Sequence, residues 1–242
     1  MFPPGCPKDG AASRLLLIQS IPVNYFAHAH RFLLSGNPDP YFLAGTAVPD
    51  WLNVVARRTR CRPRHVEPYL QDADPTTGAL AQGIVQHHAD DRWFHATRAF
   101  NELSIAFAQQ IHATLADESD LRPSLLGHIV VELLLDAELV SADRSLLDDY
   151  YVAIDSVDAE RAAALVGMMS GRPVGNLAEF IPRFVDIRFL ADYGEDMRLC
   201  YRIDQVLTRV KLPCLLNQFK ALLPRFRAAT RQHQSALLNP NG

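Results

Sequence analysis

Gly127-His128-Ile129-Val130-Val131-Glu132-Leu133-Leu134-Leu135-Asp136-Ala137-Glu138-Leu139 places a polar side chain at every fourth position of an otherwise almost wholly aliphatic run. A spacing of four returns a side chain to the same face of an α-helix, so His128, Glu132 and Asp136 form one stripe on a helix that is apolar elsewhere. Such a helix belongs in a protein interior, where an unpaired carboxylate costs on the order of several kcal/mol. Either a metal ion or a set of facing arginines would compensate these acids.

The same spacing recurs upstream in Gln86-His87-His88-Ala89-Asp90-Asp91-Arg92-Trp93-Phe94-His95. His87, Asp91 and His95 share one helical face, flanked by Ile84, Val85, Trp93 and Phe94, which point to burial. Imidazole and carboxylate one turn apart supply nitrogen and oxygen ligands to zinc, manganese or iron; a solvated face of i,i+4 pairs is the plainer alternative. Eight of the nine histidines lie between positions 28 and 128, which directs the search for a site to the first half of the chain.

Outward from these two helices the pattern is uniform. Apolar residues recur at three- and four-residue spacing, and alternating β-branched stretches are hardly found, so the expected fold is all-α. Helices are expected over 25–35, 39–57, 63–71, 77–95, 98–116, 121–141, 143–153, 158–169, 176–192, 195–210 and 214–234. Residues 1–23, with Pro3, Pro4, Gly5, Pro7 and Gly10, read as an irregular leader. No low-hydrophobicity linker and no internal repeat divides the remainder, so 24–242 is expected to form a single helical domain with 77–95 and 121–141 as adjacent central helices.

Composition bounds the function. With 242 residues, 48% hydrophobic and 21% charged, the chain can bury a sizeable core, and no apolar stretch approaches the roughly 20 residues of a membrane span. A net charge of −3 argues against a protein-wide nucleic-acid footprint. Cys6, Cys61, Cys200 and Cys214 are scattered without a C-x-x-C pair and read as free thiols in a reducing compartment. The run Leu15-Leu16-Leu17-Ile18 is short for a signal peptide, so a cytoplasmic location is expected.

Two further stretches bear on chemistry. In Asn24-Tyr25-Phe26-Ala27-His28-Ala29-His30 the two histidines cannot point the same way from a helix, so at most one contacts an ion. Asp50, after Pro49, is either a helix cap for Trp51-Leu52-Asn53 or a bridging carboxylate. Arg57, Arg58, Arg60, Arg62 and Arg64 cluster just beyond it, and residues 201–242 carry seven basic residues against one acid, Asp204. Both sets could meet phosphate or an acidic protein, or be solvated surface.

These motifs, in this order, resemble those of bacterial acyl-carrier-protein phosphodiesterases. Asn24-Tyr-Phe-Ala-His28-Ala-His30 is similar to their Asn-x-Leu-Ala-His-x-His, Gly45-Thr-Ala-Val-Pro-Asp50 to their Gly-Asn-x-x-x-Asp, Gly83-Ile-x-x-His87-x-x-x-Asp91 to their Gly-Ile-x-x-His-Arg-x-x-Asp, and Glu132-x-x-x-Asp136 to their Asp-x-x-x-Asp-His. The resemblance spans about residues 24–140 and departs from the family at His88, His95 and Ala137. It implies an all-helical, divalent-metal-dependent hydrolase, related to the HD-type phosphohydrolases, that cleaves the phosphodiester joining 4′-phosphopantetheine to a carrier protein. Phe42-Leu-x-Gly-x-x-x-Pro-Asp50 with His128-x-x-x-Glu132 is also similar to zinc-dependent phospholipase C, another helical phosphodiesterase family.

The expected site follows. Asp50, His87, Asp91, His128 and Asp136 hold one or two divalent ions (Mn, Zn, Fe or Mg). His28 or His30 orients a ligand or protonates the leaving alkoxide, and Glu132 is a supporting or metal carboxylate. Arg58, Arg60 and Arg62 hold substrate phosphate or an acidic carrier protein. The rivals are a non-catalytic helical interaction protein with a decayed site, which Ala137 would allow, and a haem-binding bundle, which no C-x-x-C-H signature supports.

Overall fold

In a computed structural model of the chain, residues 24–36, 38–115, 122–209, 211–215 and 217–239 are described; the leader expected over 1–23 lies outside them. Among the described residues every regular element is helical, so the fold is all-α. In chain order the α-helices are α1 (Tyr25–Leu34), α2 (Pro40–Val55), α3 (Pro63–Val66), α4 (Pro75–Phe94), α5 (Arg98–Thr114), α6 (Pro123–Ala142), α7 (Arg144–Asp155), α8 (Ala159–Ser170), α9 (Asn176–Ile187), α10 (Asp196–Arg209), α11 (Asn217–Lys220) and α12 (Leu223–Leu237). Short 3₁₀ turns occupy Glu67–Tyr69 and Phe189–Gly194. Among the described residues no helix is long and apolar enough to cross a membrane.

Local chemistry sets the helix ends. Asp39 accepts from the amides of Tyr41 and Phe42, and Asp74 from those of Thr76 and Thr77, while Pro40 and Pro75 take first-turn positions that need no N–H. Three expected helices are shorter or broken. The run 63–71 gives way to a 3₁₀ turn at Pro68, which has no amide for an α-helical bond. The run 176–192 stops at Ile187, where Arg188 turns left-handed at φ 47°. The run 214–234 divides into α11 and α12 ahead of Pro224.

Two helix pairs build the core, and glycines decide how closely each packs. Where α2 crosses α4, a Cβ on Gly45 would lie 2.4 Å from the Leu80 carbonyl oxygen, and one on Gly83 would lie 2.1 Å from that of Phe42. Backbone therefore touches backbone, a distance only glycine permits. A Cβ on Gly127 of α6 would likewise stand 2.6 Å from the Ser104 carbonyl oxygen of α5. α6 is buried along nearly its whole length, covered by α5, α12 and the Phe189–Gly194 turn, with Phe107 of α5 stacked on Phe226 of α12. α1 lies across α2, α6 and α7.

Three expectations change here. α4 and α6 do not pack along one another; each has its own partner, and they meet through side chains at the C-terminal end of α4. Cys61 and Cys200 are buried free thiols, whereas Cys214 is disulfide-bonded and so is not the free thiol expected. The basic C-terminal segment is also partly neutralised within the fold: Arg202 pairs with Asp192, Arg227 with Asp196 and Arg231 with Glu138.

Candidate metal centre

The close crossing of α2 and α4 sets the first ligand. One turn beyond Gly83, the His87 Nδ1–H donates to the Thr46 carbonyl at 2.7 Å, beside Gly45. A carbonyl only accepts, so Nδ1 carries the proton and Nε2 presents a lone pair. That Nε2 has no hydrogen-bond partner; it faces Asp91 Oδ2 at 3.4 Å and Asp50 Oδ1 at 3.8 Å. His28 Nε2, brought in by α1, is also unpartnered and lies 3.4 Å from Asp91 Oδ1. The two imidazole rings stand 4.1 Å apart, and ligand atoms of His28, His87 and Asp91 all fall within 4.8 Å of one another.

Asp50 is the least expected member energetically. It is 1% exposed and neither carboxylate oxygen has a hydrogen-bond partner. Burial drives its pKa well above the ordinary range, and the negative charges of Asp91, Glu132 and Asp136 add to the rise. Burial would lower His28, but the carboxylates of Asp90 and Asp91 on either side of the ring outweigh it and push the imidazole up to about 10. His87 is lowered by burial and by the His28 charge. Asp91, although burial opposes it, is held far below the usual carboxylate range by His87 and His28. A pocket that contains orphaned lone pairs, a buried carboxylate resisting ionisation and two carboxylates around two imidazoles fits a divalent cation.

A second group adjoins the first along the same stripe of α4. His95, two turns beyond His87, donates from Nε2 to Glu132 Oε1 at 2.9 Å, and His128 Nε2 lies 3.0 Å from that oxygen, off the line of a hydrogen bond. The three ligand atoms again lie within 4.8 Å of one another. Glu132 is fully buried and its Oε2 is unpartnered, yet His128 and His95 hold its pKa below the ordinary value against the effect of burial. The two histidines are about a quarter exposed, so this group is the open side of the centre.

The structure thus brings together His28, His87 and Asp91 in one group, with Asp50 beside it at 3.8 Å from His87, and His128, Glu132 and His95 in the other. Asp136 is employed differently from the expectation. Its two oxygens accept from the amides of Phe26 at 3.0 Å and Ala27 at 2.7 Å, the bonds an N-cap side chain would make, while Asn24 at the cap position makes none. Asp136 therefore fastens the start of α1 and is not among the grouped ligand atoms. Asp50 lies inside α2 and is not a cap. His30 lies away from both groups, packed on Phe26 and influenced by Asp143. Of the two histidines expected to orient a ligand or protonate the leaving alkoxide, His28 is the one that reaches the inner group, where it is buried.

The arginines divide as well. Thr59 and Cys61 point inward from an extended segment, which turns Arg58 and Arg62 outward; both are exposed and neither has an ion-pair partner among the described residues. Arg60 instead donates to the carbonyls of Arg57 and Thr59 and so ties its own loop. That loop is held to α4 by His88, whose Nε2 meets the Cys61 carbonyl at 2.6 Å. Sequence spacing placed His95 on the face of His87 and Asp91, all three able to converge on an ion; the structure instead groups His95 with His128 and Glu132. The chain matches no known family, no curated protein and no solved structure in the comparisons made.

Proposed function

We propose that this chain is a metal-dependent hydrolase of phosphoric diesters. The observation that carries the reading is the buried group of His28, His87 and Asp91, whose ligand atoms lie within 4.8 Å of one another, with the unpartnered Asp50 carboxylate 3.8 Å from His87. Divalent ions bound there and at His95, His128 and Glu132 would supply a water of lowered pKa and offset charge on the phosphoryl oxygens. The protein's own contribution is positional. Thr46 fixes the His87 tautomer, the buried surroundings of the inner group exclude water, and the partly exposed histidines of the outer group would face incoming substrate.

Two substrate readings follow from the resemblances. A 4′-phosphopantetheine diester on an acidic carrier protein would use the exposed, unpaired Arg58 and Arg62 as its docking cations. A specific observation favours the second, phospholipase C-like reading: Glu132 groups with His128 as the His128-x-x-x-Glu132 resemblance implies, whereas Asp136 is occupied as a cap and Ala137 offers no ligand. Elemental analysis of protein purified without added metal, followed by chelation, tests the class. Bound zinc, manganese or iron, a fall in thermal stability on chelation, and loss and metal-dependent recovery of activity on a chromogenic diester are expected. Absence of metal with no chelator effect would leave the non-catalytic interaction protein. Parallel assays on holo-acyl-carrier protein and on a phospholipid separate the two substrates.

A further inference from the structure

Asp90 stands directly beside a candidate ligand, Asp91, yet faces a different way. Its Oδ1 accepts from three donors: Arg31 Nη2 at 2.9 Å, Gln86 Nε2 at 2.8 Å and Trp93 Nε1 at 3.0 Å. The residue is 5% exposed. Three donors on one oxygen fix both the plane of the carboxylate and its ionised state. The other oxygen, Oδ2, is left facing His28 Nδ1 at 3.7 Å, while His28 Nε2 points at Asp91 on the other side of the ring.

From this geometry we infer that Asp90 is the positioning residue of the inner metal group: it holds the proton of His28 on Nδ1 and so presents Nε2 to the ion. The inference rests on the metal reading above. His28 and His87 then reach the same tautomer by different means, since His87 uses a neutral carbonyl and His28 an anion. An imidazole backed by a carboxylate is the more basic ligand, and partners of this kind commonly contribute 10- to 100-fold to metal affinity. Arg31, Gln86 and Trp93 act one step further out by keeping Asp90 from turning.

Asp90→Asn tests this because the surrounding donors dictate how the amide sits. Arg31, Gln86 and Trp93 require an acceptor, so the amide oxygen takes the Oδ1 place and the NH₂ is turned toward His28 Nδ1. A donor there drives the His28 proton to Nε2, the ligand atom. Zn²⁺ affinity measured by competition with a chelator should fall about 10- to 100-fold in the variant. In a His28→Ala background the same substitution should change affinity hardly at all, because a residue that acts through His28 has nothing left to position. An equal loss in both backgrounds, or no loss in either, overturns the inference. The ¹⁵N ring signals of His28 in metal-free protein, read above the pH of about 10 at which the ring gives up its second proton, give a further reading: Asp90→Asn should move the remaining proton from Nδ1 to Nε2, and retention on Nδ1 overturns it. Failure of wild type to take up Zn²⁺ would instead fail the metal reading, and the ring signals would still decide the role of Asp90.

Discussion

The inner and outer ligand groups use the same residue types but differ in what they do unaided. In the inner group, His28 Nε2, His87 Nε2, Asp91 Oδ1 and both oxygens of Asp50 have no hydrogen-bond partner. The outer group is partly closed on itself: His95 spends its Nε2 proton on Glu132 Oε1, while His128 Nε2 and Glu132 Oε2 are left without a partner. An ion entering the inner group would meet the His87 lone pair already prepared by Thr46 and would have to displace the extra proton of His28, whereas one entering the outer group would also have to break a charge-assisted bond already made. Burial runs in the same direction, deep for the inner group and about a quarter exposed for the outer histidines. On the metal reading proposed above, the two groups should differ in affinity because of hydrogen bonds made before any ion arrives, and stepwise loading is expected, inner before outer.

The most direct way to break that contrast is His87→Ala. It removes the inner ligand whose tautomer is fixed, and diester hydrolysis should fall at least about 10³-fold, because a metal supplies several kcal/mol to such a transition state at 1.36 kcal/mol per decade. Residual activity within tenfold of wild type would show that the outer group works alone.

Chelated protein should reveal the inner region through its pH dependence. Burial pushes Asp136 up to about 7 despite its two backbone bonds, and Asp50 is raised as well. A carboxyl whose folded pKa exceeds its unfolded value of about 3.9 keeps its proton longer in the folded state. Metal-free stability should then decline as pH rises from about 4 to about 7, by an amount on the order of a few kcal/mol. His28, raised to about 10, adds a further decline above its unfolded value of about 6.5. Urea midpoints at pH 5 and pH 8 measure this, and Asp136→Asn should flatten the lower limb. A midpoint that rises with pH contradicts it.

Glu132→Gln sharpens the comparison from the other side. It keeps the shape of the side chain but removes the anion between His95 and His128, so the weaker of two binding steps should vanish and the tighter one persist. Metal titration would show stoichiometry falling from two to one; loss of both ions would mean the groups are one coupled site.

The smallest effects belong to the arginines. Arg58→Ala and Arg62→Ala should leave stability within about 0.5 kcal/mol, as expected for exposed side chains without partners. Arg60→Ala should cost about 0.5–1.5 kcal/mol because it ties the loop through the Arg57 and Thr59 carbonyls. A raised KM confined to holo-acyl-carrier protein in Arg58→Ala would support a carrier substrate; equal kinetics on every diester would count against it.

Much of this was legible in spacing alone. His87, Asp91 and His95 at intervals of four, and His128 and Glu132 likewise, fall on single helical faces whatever the tertiary fold, and glycines at 45, 83 and 127 marked close crossings once the helices were placed. Asp136 obeyed the same spacing and misled, because periodicity says which face a carboxylate occupies but not whether another helix's amides reach it first. His28 was a candidate from the sequence, but its pairing with Asp90 was unreadable for a related reason: it depends on how α1 crosses α4, which no local pattern encodes. The 214–234 run failed at Pro224, a signal present in the sequence and outweighed by the apolar period around it.

The cap that Asp136 provides also sets an order of events. Residues 26 and 136 are 110 positions apart, so His28 cannot settle into place until a chain segment of that length has closed. Non-local closures of this kind come late and slow folding, whereas the i,i+4 pairs of α4 and α6 form with their own helices. During folding the chain should thus display its outer ligands early and complete the inner group last. Metal added at the start of refolding should leave the early phases untouched and stabilise only the final one.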